Sequence, residues 1–227
     1  MNASHVDGLR VEGISRAYVV GAERVAAVSD VSAHFAAGTV TVISGPSGSG
    51  KTTLLRMLGI LDRPDSGDMW LQDESIAALS TRKRRSLRRS KVGYVFQQPA
   101  FNLLSYARAE EHVRLGARLR GRAPSEPDDA LLDVIGLASR RTYRPAQLSG
   151  GEQQRLALAF AAAGNPSVLV ADEPTASLDS VAGASVIEAL HLLAARGLTV
   201  IASSHDPALV ESAQSVVRLA DGRRIDE

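Results

Sequence analysis

Apolar and polar residues along the chain repeat in two periods, and the switches between them mark out the elements. Residues 9–14 and 28–35 read as strands; in the second, Val31, Ala33 and Phe35 alternate with Ser32 and His34, as in a sheet with one buried face. A β-branched apolar run at 39–44 predicts a buried strand, and 51–60 a helix. The cluster Asp62-Arg63-Pro64-Asp65-Ser66-Gly67 predicts a turn, followed by a strand at 68–72. A basic helix is expected at 80–90, a strand at 92–96, and mostly helix over 106–164, broken near 121–127 and 141–145. Short apolar strands at 168–171 and 198–203 bracket a helix at 181–196. A last strand at 215–220 meets Asp221-Gly222, a hairpin turn pair, and resumes at 223–225. Strands alternating with helices at both ends, around a helical block, predict a parallel-sheet α/β core with an inserted helical subdomain.

The junction of the strand at 39–44 and the helix at 51–60 carries chemistry. It reads Gly45-Pro46-Ser47-Gly48-Ser49-Gly50-Lys51-Thr52-Thr53 and fits G-x-x-x-x-G-K-[ST] in the strand–loop–helix setting the motif requires. The glycines free the backbone to turn successive N–H groups inward at a helix N-terminus, which makes an anion site. Lys51 is placed to reach the β- and γ-phosphates of a nucleoside triphosphate, and the Thr52 hydroxyl to ligate Mg²⁺. The apolar run 168–171 ends in Asp172-Glu173-Pro174. A buried strand presents such carboxylates at the ligand crevice of an α/β sheet. Asp172 is the candidate Mg²⁺ ligand and Glu173 the candidate base for the attacking water. The bland alternative is an acidic pair at a helix N-terminus. A second Gly-rich helix start, Leu148-Ser149-Gly150-Gly151-Glu152-Gln153-Gln154-Arg155, supplies a second set of open N–H groups.

Composition narrows the picture. With 227 residues the chain can bury one sizeable core, and 44% apolar with 22% charged residues is ordinary for a globular protein. No cysteine is present, which excludes disulfides, cysteine zinc sites and thiol catalysis. The net charge of +1 gives no overall attraction to nucleic acid, and no nucleic-acid partner is expected. No apolar run approaches a membrane span, and residues 1–7 lack a secretory pattern, so a cytoplasmic protein is expected. The run Arg82-Lys83-Arg84-Arg85-Ser86-Leu87-Arg88-Arg89-Ser90-Lys91 is the one strong charge cluster. It reads first as a solvated helix face. Anionic headgroups or the cytoplasmic face of a membrane partner, and nucleic acid, are the alternatives.

The phosphate loop, the acidic strand end and the 148–155 segment together resemble the ATP-binding-cassette (ABC) ATPase family, and the resemblance covers nearly the whole chain. It implies one cassette over 1–227: a P-loop NTPase core of mostly parallel sheet, an antiparallel β subdomain, and a helical subdomain inserted at about 98–164. Tyr18 matches the aromatic that stacks on adenine. Gln97, chosen over Gln98, matches the glutamine that touches Mg²⁺ and the attacking water and senses a membrane partner. His205 matches the γ-phosphate histidine. Ser149, Gly150, Gly151 and Asp179 match groups that meet the nucleotide held by the opposite subunit. The resemblance thus implies ATP and Mg²⁺, a sandwich homodimer, ATP hydrolysis, and a separate integral-membrane permease on the cytoplasmic face of the membrane. The softer cues resemble macrolide-exporter and lipoprotein-release ATPases, hence export or extraction. Signalling through a permease-like partner is the alternative. The chain departs from relatives at Leu103-Leu104-Ser105 (usually Leu-Leu-Pro), at Glu111-His112 (usually Glu-Asn) and at Phe160 (usually Arg). The first two put the partner's identity in question, and the third the packing of the helix after Ser149.

Overall fold

A computed structural model describes residues 8–225 of the chain; residues 1–7, read above for a secretory pattern, lie outside them. Two sheets and eight α-helices organise these residues. Strands β1 (Gly8–Val20) and β2 (Glu23–Ala36) form a long antiparallel hairpin. β3 (Val40–Ser44) feeds helix α1 (Lys51–Leu58). β4 (Ser66–Leu71) and β5 (Glu74–Ser75) lead to helix α2 (Thr81–Lys91), which runs directly into β6 (Val92–Val95). A helical stretch follows, with α3 (Ala109–Leu119), α4 (Glu126–Asp129), α5 (Leu131–Val134) and α6 (Gly150–Ala162). The chain then returns through β7 (Val168–Ala171), α7 (Ser180–Ala195), β8 (Thr199–Ser203), α8 (Pro207–Ser212) and the hairpin β9 (Ser215–Ala220) and β10 (Arg223–Ile225).

The larger sheet has the order β10-β9-β3-β8-β7-β6, parallel from β9 to β6 with only β10 antiparallel. The smaller, β2-β1-β4-β5, is antiparallel throughout. The period of two sorts the central strands between two cores. Val40 and Val42 of β3, Leu169 and Ala171 of β7, and Val200 and Ala202 of β8 face a layer built from α3, α6 and α7. Ile43, Val168, Val170 and Ile201 face the opposite layer, where α1 packs beneath the antiparallel sheet through Leu54, Leu55, Phe35 and Leu9. Strands buried on both faces read as continuous apolar runs, which is why β3, β7 and β8 were plain in the sequence.

Five elements differ from expectation. β1 and β2 run far beyond 9–14 and 28–35, because bulges between Val11 and Ala17 break the alternation. The helix expected over 51–60 stops at Leu58, where Gly59 caps it and Ile60 takes a left-handed φ of 54°. The helix α8 and the short strand β5 carry no periodic signal and were not anticipated. In α2, Arg82, Lys83, Arg85, Arg88 and Arg89 are exposed, as a solvated face requires. Arg84 is not: it is buried beside Leu87 and donates to the Asp62 carbonyl at 3.0 Å.

Candidate functional site

The loop between β3 and α1 sits at the C-terminal end of the parallel sheet, where α/β sheets place ligands. Gly45 and Gly50 adopt φ of 151° and 97°. A Cβ on Gly45 would stand 2.2 Å from the Leu219 carbonyl oxygen, and one on Gly50 2.2 Å from that of Ala27. Both clashes are with backbone, so only glycine fits. Gly50 caps α1 without a side chain, which leaves the first N–H groups of that helix turned to the loop. Lys51 folds back, its Nζ donating to the carbonyls of Gly45 at 2.7 Å and Pro46 at 3.0 Å. Its charge is thereby held over the cradle.

A cleft of 620 Å³ opens there. Gly45, Pro46, Ser47, Gly48, Gly50, Lys51, Thr52 and Thr53 form one side; Gln97, Glu173 and His205 reach in from the ends of three other segments. Ser49 is buried behind the loop. Gln98, the neighbour of Gln97, does not line the cleft. Asn102 fixes this approach: its Oδ1 accepts from the Phe96 N–H at 2.9 Å and its Nδ2 donates to the Tyr94 carbonyl at 2.8 Å. Glu173 has a left-handed φ of 46°, rare for a side-chain-bearing residue and common at functional sites. Its carboxylate lies 3.0 Å from Nδ1 of His205 and 4.0 Å from Nζ of Lys51. Asp172 is buried behind Glu173, with Oδ1 3.4 Å from the Thr52 hydroxyl.

Tyr18 lies on β1, outside the residues that line the cleft. Its hydroxyl donates to Asp62 at 3.3 Å, and the Arg16 guanidinium stands 5.2 Å from its ring. The Arg56 fork grips the same Asp62 carboxylate at 2.7 and 3.1 Å. Those hydrogen bonds hold Asp62 below the usual carboxylate range against a partial desolvation penalty. Asp62 and Arg56 thus back the aromatic that the sequence singled out, a link that no motif announces.

Ser149, Gly150 and Gly151 open α6 away from the cleft. The Ser149 Oγ accepts from the Glu152 N–H at 3.3 Å, and Glu152 accepts from the Ser149 N–H at 2.9 Å, a reciprocal cap. A Cβ on Gly151 would press to 2.8 Å from Ala182 of α7. Asp179 caps α7 by accepting from the Ala182 N–H at 2.8 Å, and lines a second groove with Ser177, Glu173 and His205. Two departures from the family pattern are one packing unit: the rings of His112 and Phe160 meet edge-on at 5.8 Å. His112 is fully buried. Its Nε2 accepts from the Leu104 N–H at 2.9 Å and its Nδ1 pairs with the Arg108 carbonyl at 2.8 Å. Burial pushes the ring's pKa down.

Sequence reasoning missed Ser203. Its buried hydroxyl donates to Asp172 Oδ1 at 2.7 Å and accepts from the Glu173 N–H at 2.9 Å. No motif marks it; only the topology, which sets β8 between β3 and β7, brings it there.

Residues 28–176 match the family model described as ABC transporter. Among curated proteins, the macrolide export ATP-binding/permease protein MacB of Agrobacterium fabrum is 39% identical over 217 residues, which is 94% of this chain and 33% of the relative. MacB of Escherichia coli is likewise 39% identical over 217 residues, with 94% and 33% covered. The chain spans about a third of the length of these relatives. Among solved structures, a dimeric bacterial ABC transporter cassette is 33% identical with a TM-score of 0.82, covering 96% of this chain and 97% of its own. A post-hydrolysis state of that cassette, bound to ADP and Pi, gives 0.83 at the same identity and coverage. The chain belongs to the ABC transporter family and is an ATP-binding cassette of its ATPases.

Proposed function

We propose that this cassette hydrolyses ATP as half of a two-copy sandwich and drives a membrane permease with the energy released. The observation that carries the reading is the convergence of Lys51, Gln97, Glu173 and His205 on one cleft, with Asp172 behind Thr52.

Each side chain has a task. The glycine-rich loop and the N-terminus of α1 bind the phosphates through backbone N–H groups, and Lys51 leaves its two carbonyl partners for phosphate oxygens. Tyr18 stacks on the base. Thr52, Asp172 and Gln97 offer hydroxyl, carboxylate and amide oxygens, the hard donors Mg²⁺ takes, and few enough to leave room for phosphates and water. Among the described residues no cluster of three or more His, Cys, Asp or Glu forms a self-sufficient metal cage, which fits an ion that arrives with its nucleotide. Bound there, Mg²⁺ neutralises charge on the phosphate oxygens. Glu173 accepts a proton from the attacking water, with His205 beside it to meet the γ-phosphate.

Ser149, Gly150 and Gly151, and Asp179, stand outside the cleft of their own chain, so their task is on the nucleotide of a second copy. The dimeric relative supports this arrangement. The exporter relatives support a permease as the driven partner and export as its direction; among the described residues no helix is long and apolar enough to cross a membrane. The cassette then works at the cytoplasmic face.

The test is steady-state phosphate release by the full chain, followed by capture of a tagged copy from detergent-solubilised membranes. Hydrolysis lost with Lys51→Ala, and co-purification of a permease, are the expected results. Activity that survives Lys51→Ala refutes the site.

A further inference from the structure

Ser203 is the last residue of β8, at the end of the sheet that faces the cleft, between the strand that feeds the phosphate loop and the strand that ends in the two carboxylates. It is 0% exposed. A hydroxyl buried this far must satisfy itself on its neighbours. It does so on both acidic residues at once: the O–H goes to Asp172 Oδ1 at 2.7 Å, and the oxygen takes the Glu173 N–H at 2.9 Å. Asp172 Oδ1 is the atom that also faces the Thr52 hydroxyl at 3.4 Å.

The second contact falls on the backbone of a residue in an unfavourable conformation. Glu173 leaves β7 with φ at 46°. This kink lets Asp172 stay with the strand while Glu173 turns its side chain into the cleft. A left-handed residue with a side chain persists only when its surroundings hold it there. The Ser203 oxygen is the acceptor that holds the N–H of this one.

We propose that Ser203 is a positioning residue for hydrolysis, with one hydroxyl setting both the orientation of the Asp172 carboxylate and the backbone turn that aims Glu173. The inference rests on the proposed ATPase reading, since it assigns Ser203 a role only through those two groups. Partners that orient a metal-side carboxylate typically account for about 10- to 100-fold in activity or metal affinity.

The experiment compares Ser203→Thr with Ser203→Val in the full chain. The two new side chains have nearly equal volume and differ in the hydroxyl. kcat for ATP should stay near wild type in Ser203→Thr and fall about 10-fold or more in Ser203→Val, with KM for ATP changed little. A second readout is Mn²⁺ binding, followed by its paramagnetic resonance signal with a non-hydrolysable ATP analogue; affinity should weaken in Ser203→Val and be restored in Ser203→Thr. Urea unfolding of both variants separates a packing defect from a positioning one. If either fails to fold, Ser203→Ala, which adds no atoms, is compared with wild type on the same readouts. Equal kcat and equal Mn²⁺ affinity with and without the hydroxyl overturn the role of Ser203 while leaving the ATPase reading intact. A wild-type chain that hydrolyses no ATP overturns both.

Discussion

Protonating His112 should loosen the segment that follows Gln97, and the size of the effect can be bounded. In the folded chain Nε2 of His112 accepts the Leu104 N–H at 2.9 Å, so Nδ1 carries the proton and donates to the Arg108 carbonyl at 2.8 Å. A second proton would set an N–H against the Leu104 N–H inside a fully buried site. Burial accordingly lowers the folded pKa from the ordinary value of 6.5, which the unfolded chain keeps. Between the folded and unfolded values the unfolded state binds more protons, so stability rises with pH there. The contribution is complete above about pH 6.5 and is lost as pH falls below it. At about pH 5.5 the loss has a ceiling of about 1.4 kcal/mol, the free energy of protonating one such site in the unfolded chain. Urea unfolding of wild type and His112→Leu at about pH 7.5 and pH 5.5 measures it. Every other side chain is common to the two proteins, so the difference between them isolates position 112. Wild type should lose up to about 1.4 kcal/mol more than His112→Leu between the two pH values. At the higher pH the variant should be less stable by about 1–3 kcal/mol, because the Leu104 N–H has lost its acceptor. Equal acid losses in the two proteins would refute the reasoning.

Other consequences follow from the same contacts. Gly50→Ala places a Cβ 2.2 Å from the Ala27 carbonyl, so the loop must shift; nucleotide affinity, read with a fluorescent analogue, should fall about 10-fold or more, the equivalent of about 1.4 kcal/mol. Asp128→Ala removes the acceptor of the Gly164 N–H at 2.7 Å and of both Ser125 donors, and should cost about 2–4 kcal/mol in urea unfolding. Glu173→Gln should lower kcat about 10²- to 10⁴-fold while nucleotide binding persists.

The chemistry of this chain was more legible than its supports. The phosphate loop, Asp172 and Glu173 sit on elements whose apolar runs are unambiguous, because β3 and β7 are buried on both faces. The β1–β2 hairpin was understated because its bulges break the period and the outer end of β2, from Glu23 to Ala26, is exposed. Asp62 behind Tyr18 and Ser203 behind Glu173 are single polar residues 44 and 30 positions from their partners, and only the folded topology joins them. The His112–Phe160 contact explains two departures that looked unrelated in the sequence. Arg84 shows the converse: inside a run of cations one guanidinium is structural, and composition cannot say which.

The central claim is that the cleft is half of a site and needs the Ser149–Gly151 segment of a second copy to close it. The direct measurement is the light-scattering mass of the 227-residue Glu173→Gln chain, 24.0 kDa per copy, with and without ATP and Mg²⁺. The account predicts a doubled mass only with nucleotide, and a return to the single-copy mass when Ser149→Arg is added. A Glu173→Gln chain that binds ATP yet keeps the mass of one copy would contradict it.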